Sequence, residues 1–169
     1  MKELLLLRHA KAKLLEQDME DKDRVLRKRG KQDAHNIAQW LKMYQLFPDV
    51  LLTSPAMRTL ETAQIIHEVL DLKDVDIEKN EQLYATNVEQ LLAVLNTHSE
   101  EKKRILLVGH NPELENLLIY LVGKEALPTD KKLLSTSTLV RLSIENVLWS
   151  ELKNKCAQLL SITYAKSLK

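Results

Sequence analysis

Three apolar runs in this chain each stop at a cluster of residues suited to an anion, and that repeated arrangement constrains the fold more than any other feature. The first, KELLLLRHA, is a four-leucine run closed by Arg8 and His9. A short apolar run without alternation reads as a strand buried on both faces, as in a parallel sheet. The second, VLLTS, stops at Ser54-Pro55. Ser54 is suited to cap a new helix and Pro55 to open it, with Arg58 in the first turn and Leu60, Ala63, Ile66 and Leu70 on one face. The third, RILLVGHNPELENLL, gives a strand through Val108, a turn at Gly109, Asn111 as cap and Pro112 as first helical residue. Leu114, Leu117, Leu118 and Leu121 then form the buried stripe.

The segments between repeat the same logic. Ala34, Ile37, Ala38 and Leu41 recur at helical spacing, so an amphipathic helix runs from Lys31 to near Phe47-Pro48. A short strand is expected around Val75 to Ile77, followed by a loop at 81–84. Thr86 with Glu89 matches a capping box ahead of Val88, Leu91, Leu92 and Leu95. STSTLVRLSI and AQLLSITYA read as two closing strands. Residues 16–32 are nearly all charged and read as a solvated loop plus the first turn of a helix, with Arg24 available to rim a pocket. The whole predicts one domain over residues 1–169, an α/β/α sandwich with a mostly parallel central sheet. In such sheets ligands sit beyond the carboxyl ends of the strands.

Composition removes several classes of function. With 25 basic and 24 acidic residues and a net charge of +1, no global field favours nucleic acid or an anionic membrane, so any anion site must be local. No run is long enough for a membrane span, and Cys156 has no second cysteine to pair with, so the expected setting is the reducing cytoplasm. His35, His67 and His98 show no metal-ligand spacing, and neither a metal nor an organic cofactor is expected.

If the three strands are sheet neighbours, Arg8, His9, Ser54, Arg58, His110 and Asn111 converge on one spot beside two helix N-termini, which favour anions. Arginine suits a phosphate because its fixed fork donates two hydrogen bonds and keeps its charge. A neutral imidazole aimed at phosphorus can act as a nucleophile and divide one displacement into two. Any one of these clusters alone carries little information. All three at strand tips carry much more.

The segments LLLLRHAKA, LLTSPAMRTLETAQII and LLVGHNPELENLL resemble, in this order, the signature segments of the histidine-phosphatase superfamily, and DRVLRKRG resembles its DxxRxLxxxG element. The similarity is greatest to the small SixA-type phosphohistidine phosphatases. That resemblance implies a phosphoglycerate-mutase-like fold, His9 as the phosphorylated nucleophile, and Arg8, Arg58 and His110 as the phosphate pocket, with Asn111 and Ser54 at motif positions beside it. It also implies action without metal or cofactor.

Two departures stand out. Ala10 replaces the glycine of the RHG form, and Arg27 stands where the family element has threonine, which removes a helix cap. No residue matches the family's carboxylic general acid cleanly. Glu81, on the loop after the expected third strand, is the candidate, while Glu113 and Glu115 are explained as first-turn carboxylates of a helix. A phosphohistidine substrate would need less acid catalysis, because imidazole leaves far more readily than an alkoxide. The expected substrate is therefore phosphohistidine on a protein partner. The alternatives are a phosphatase of small phosphomonoesters and a binder of phosphorylated ligands without turnover.

Overall fold

The computed structural model describes residues 1–129 and 132–168. Its centre is one six-stranded sheet built from β1 (Lys2–Arg8), β2 (Val50–Thr53), β3 (Ile77–Lys79), β4 (Arg104–Gly109), β5 (Thr138–Ile144) and β6 (Ala157–Tyr164). The spatial order is β3-β2-β4-β1-β5-β6. The first four strands in that order are parallel, and β5 and β6 add on antiparallel beyond β1. The four principal helices are α1 (Lys28–Met43), α2 (Met57–Leu70), α3 (Val88–Asn96) and α4 (Glu113–Val122). Among the described residues no helix is long and apolar enough to cross a membrane.

Period-two geometry explains the unbroken leucine run. Successive side chains of a strand point to opposite faces. Leu4 and Leu6 therefore enter the core beneath α3 and α4, while Leu5 and Leu7 enter the core beneath α1 and α2. Ile105 and Leu107 of β4 join the first core and Leu106 and Val108 the second. All four leucines of β1 are fully buried. A strand with helices on both faces has no polar side to show, hence no alternation.

The expected architecture is present, with corrections at the boundaries. The third strand lies two residues later than expected, at Ile77–Lys79, and α1 starts at Lys28 and ends at Met43. Three expected caps move because their side chains have other partners. Ser54 Oγ accepts the Ala56 N–H at 3.2 Å and pairs with His110, so the residue capping α2 is Ala56 and Pro55 lies in the connecting turn. Asn111 donates to the Leu134 carbonyl and to Glu115, and Pro112 takes the cap position of α4. Asn87, not Thr86, caps α3 by accepting the Gln90 N–H at 2.9 Å. Arg27 precedes α1 without any side-chain cap, as expected from the missing threonine.

Candidate active site

The carboxyl ends of β1, β2 and β4 are adjacent, with Arg8 in register with Gly109 and Thr53 with Val108. The ladder extends past the named strands through His9 N–H to the Gly109 carbonyl (3.1 Å) and Ser54 N–H to the Val108 carbonyl (3.3 Å). Sheet register thus carries the three sequence clusters to one edge. There they line a cleft of about 370 Å³ formed by Arg8, His9, Arg24, Arg58, His110 and Asn111. The rings of His9 and His110 are 5.4 Å apart.

His9 is held in one tautomer. Its Nδ1 donates to the Ala10 carbonyl at 2.7 Å, which leaves the lone pair on Nε2. Burial pushes its pKa down to about 4, helped by the charges of Arg58, Arg8 and Arg24 and opposed by the Ala10 carbonyl. The ring is therefore neutral near pH 7, the form that can attack an electrophile. Ala10 is fixed in turn, because its N–H donates to Thr62 Oγ1 at 3.0 Å and that hydroxyl donates to the Arg58 carbonyl at 2.7 Å. The TA pair of the second signature segment thus ties the end of β1 to α2.

His110 faces the same cleft and is also neutral, its pKa lowered to about 3 by burial first and then by Arg58 and His9. Its Nε2 lies 2.8 Å from Ser54 Oγ. Ser54 is fully buried and its hydroxyl has no other acceptor among the described residues, so its proton goes to Nε2 and the His110 proton to Nδ1. That Nδ1 is buried without a protein partner.

Both arginines are anchored with donors to spare. Arg8 gives one guanidinium N–H to the Leu134 carbonyl at 2.9 Å, and Arg58 gives two to Asp21, at its carbonyl (3.0 Å) and its carboxylate (2.9 Å). Nε of each arginine is buried and unpaired. A buried donor without an acceptor costs about 1–3 kcal/mol, so three of them on residues that line one cleft would favour an anion there.

Asn111 lines the cleft, but its amide protons are used on Leu134 and Glu115. Only its acceptor Oδ1 remains unpaired, so the side chain braces the neighbouring loop. Glu81 is not carried to the cleft: it sits exposed on a short 3-10 turn at Glu81–Leu83. His35 is exposed near Gln39, His67 bonds the Val75 carbonyl at 2.8 Å, and His98 pairs with Glu78 at 3.0 Å, all away from the cleft.

Sequence reasoning missed several parts of the site. Asp21 is the hub of the charged segment: its carboxylate receives Arg24 (3.1 Å), Arg58 (2.9 Å) and the Tyr84 hydroxyl (2.7 Å). Although burial works against it, hydrogen bonds from Tyr84, Arg24 and Arg58 hold its carboxyl well below the usual carboxylate range. Tyr84 also sets its edge against the His110 ring. The loop before β5 closes the cleft, with Ser137 N–H donating to the Arg8 and His9 carbonyls and Thr136 lining the wall. The DxxRxLxxxG spacing was the available signal for Asp21, while Arg24, expected to rim a pocket, does line the cleft. The glycine of that spacing, Gly30, is required because an added Cβ would collide with the Lys11 backbone.

A sheet layered by helices on both faces, with two neutral imidazoles and two arginines at one edge, is an α/β arrangement suited to a phosphate. Comparison with known proteins narrows this. The chain belongs to the histidine phosphatase superfamily (branch 1), whose family model matches residues 4–91, and members of that family are phosphatases. Among solved structures it is similar to a "putative phosphohistidine phosphatase SixA" from Agrobacterium tumefaciens, at 28% identity and a TM-score of 0.81 over 96% of this chain and 97% of that one. It is likewise similar to one of the same description from Nakamurella multipartitia, at 25% identity and a TM-score of 0.82 over 96% and 95%. A curated relative, an uncharacterized chloroplastic protein of Arabidopsis thaliana, is 29% identical over 128 residues, which span 71% of this chain and 59% of the relative. The phosphoglycerate-mutase-like fold and the likeness to SixA follow from these matches.

Proposed function

We propose that this protein removes the phosphoryl group from phosphohistidine on a protein partner, with His9 as the group that receives it. The observation that carries this reading is the pairing of a tautomer-locked, neutral His9 with three unpaired buried donors, Arg8 Nε, Arg58 Nε and His110 Nδ1. The donors hold the phosphoryl oxygens, and Nε2 of His9 attacks phosphorus as the partner's P–N bond breaks. The departing imidazole takes its proton from water, and the Ala10 carbonyl steadies the positive charge on the phosphorylated ring. Water then attacks phosphorus, releases inorganic phosphate and restores His9. One P–N bond replaces another, so the first step needs little acid, in keeping with the exposed position of Glu81. Asn111 serves as a brace of the phosphate pocket. The reading includes a reducing, cytoplasmic setting, supported by the single unpaired Cys156.

The test is phosphate release from a phosphohistidine-bearing phosphotransfer domain and from an aryl phosphate, by the intact protein, His9→Ala and Glu81→Gln. The expected result is preference for the domain, labelled phosphate trapped on His9, loss of both activities in His9→Ala and little change in Glu81→Gln. Strong ester turnover that collapses in Glu81→Gln would favour a phosphomonoesterase. Binding without covalent label would leave a phospho-ligand binder.

A further inference from the structure

Beside the phosphate cleft lies a second depression of about 200 Å³, lined by Lys11, Arg29, Asp33, Ser135, Thr136 and Lys166 among others. It borders the cleft, since Lys11 and Thr136 line both. Three cations reach it from segments far apart in the chain: the loop leaving β1, the first turn of α1 and the turn after β6. All three are exposed, and none forms an ion pair among the described residues. Among the described residues the only carboxylate lining it is Asp33, which is likewise without an ion pair among them. The hydroxyl-bearing residues Ser135 and Thr136 are half-buried on its wall.

A chain with 25 basic and 24 acidic residues has no overall excess with which to attract an acidic partner. A local excess of two positive charges among the described residues, next to the reacting phosphoryl group, does so at the one place where it affects encounter and register. We propose that this basic groove is the docking site for carboxylate side chains that flank the phosphohistidine on the protein partner. The proposal rests on the phosphohistidine reading above and adds to it the chemistry of the partner surface. Aspartate or glutamate beside the target histidine would meet Arg29 and Lys166 while Lys11, at the shared border, faces both the carboxylates and the phosphoryl group. Exposed lysine and arginine give long-range attraction more than bound-state affinity, so the effect falls on KM and on salt dependence, not on the chemical step.

The test uses two synthetic phosphohistidine peptides of equal length, one with glutamates on both sides of the phosphohistidine and one with alanines, together with an aryl phosphate. Each is assayed with the intact protein and with the double variant Arg29→Glu/Lys166→Glu. The intact protein should prefer the glutamate peptide by about tenfold in kcat/KM, chiefly through KM, and the preference should shrink as salt is raised from low to about 0.5 M. The double variant should lose or reverse that preference and keep aryl phosphate turnover within about twofold, since neither residue belongs to the phosphate pocket. Equal use of both peptides by the intact protein, or a preference that survives in the double variant, overturns the docking proposal alone. Aryl phosphate turnover with neither peptide consumed overturns the phosphohistidine reading, and the docking site with it. The salt titration of the intact protein is independent of how the variant folds: a preference insensitive to salt contradicts the proposal.

Discussion

Ser54 Oγ lies 2.8 Å from His110 Nε2, and this contact decides which nitrogen of His110 keeps its proton. With the serine hydroxyl donating, Nδ1 carries the proton, and on the proposed function it is a donor for a phosphoryl oxygen. Ser54→Ala removes the donor to Nε2 and frees the tautomer. The expected result is a fall of about tenfold in kcat/KM, equal to about 1.4 kcal/mol, the size of one lost hydrogen bond. Steady-state kinetics check it, and an unchanged kcat/KM would mean that the tautomer of His110 is set elsewhere.

The two imidazoles should stay neutral far below the usual histidine range. Titration of their ring proton resonances by NMR is expected to show His9 gaining a proton only as pH falls through about 4, and His110 through about 3, against an ordinary value of 6.5. The folded protein then binds fewer protons than the unfolded chain at any pH between those values and 6.5. Stability therefore decreases as pH drops below about 6.5. His9→Asn should flatten that part of the pH-stability curve measured by urea unfolding.

Asp21→Asn places an amide where a carboxylate receives Arg58 and Tyr84. Oδ2 receives both Arg58 and Tyr84 and Oδ1 receives Arg24, so the amide nitrogen, which can only donate, opposes a guanidinium in either orientation, and only one remaining oxygen is left to accept. Arg58 should lose its fixed position, with KM for an aryl phosphate rising about tenfold and kcat falling less, because a hydrogen bond to a charged group contributes about 1.5–3 kcal/mol. Tyr84→Phe should have a smaller effect, since Asp21 would keep both arginines.

At the other end of β1, Glu3 is held by Arg141 (2.7 and 2.9 Å) and Arg104 (3.2 and 3.4 Å), while only 4% exposed. Its pKa falls to about 2, first through the Arg141 hydrogen bond, against burial, and then through Arg104. Glu3→Gln leaves two arginines without their shared anion, and both are partly solvated. The expected loss is about 2 kcal/mol in urea unfolding at pH 7, with kcat unaffected. A lowered carboxyl pKa stabilises the fold above its unfolded value of 4.5, and that contribution is lost as pH falls towards about 2. The variant should lack this acid-dependent component.

Much of the fold was legible because its signals are local. Leu4 to Leu7 announce a strand covered on both faces, and Leu114, Leu117, Leu118 and Leu121 announce a helix, without reference to the rest of the chain. Helix caps were read less well. Ser54 and Asn111 have the chemistry of caps, and their side chains go instead to His110 and Leu134, which lie more than 20 residues away. A propensity describes what a side chain does when nothing better is near.

The residues at the three strand tips, Arg8 and His9, Ser54 and Arg58, His110 and Asn111, were set by the sequence alone, since each lies next to a run whose burial its own pattern declares. The sheet order was not. Only the tertiary structure puts β4 between β2 and β1 and so makes neighbours of His9, Ser54 and His110. Tyr84 and the loop at 134–137 were beyond reach for the same reason, and for Asp21 the DxxRxLxxxG spacing marks the residue but not its partners. Their roles are hydrogen bonds to Arg58, His9 and each other across 37, 63 and more than 120 residues of chain, and no local pattern encodes a partner that distant.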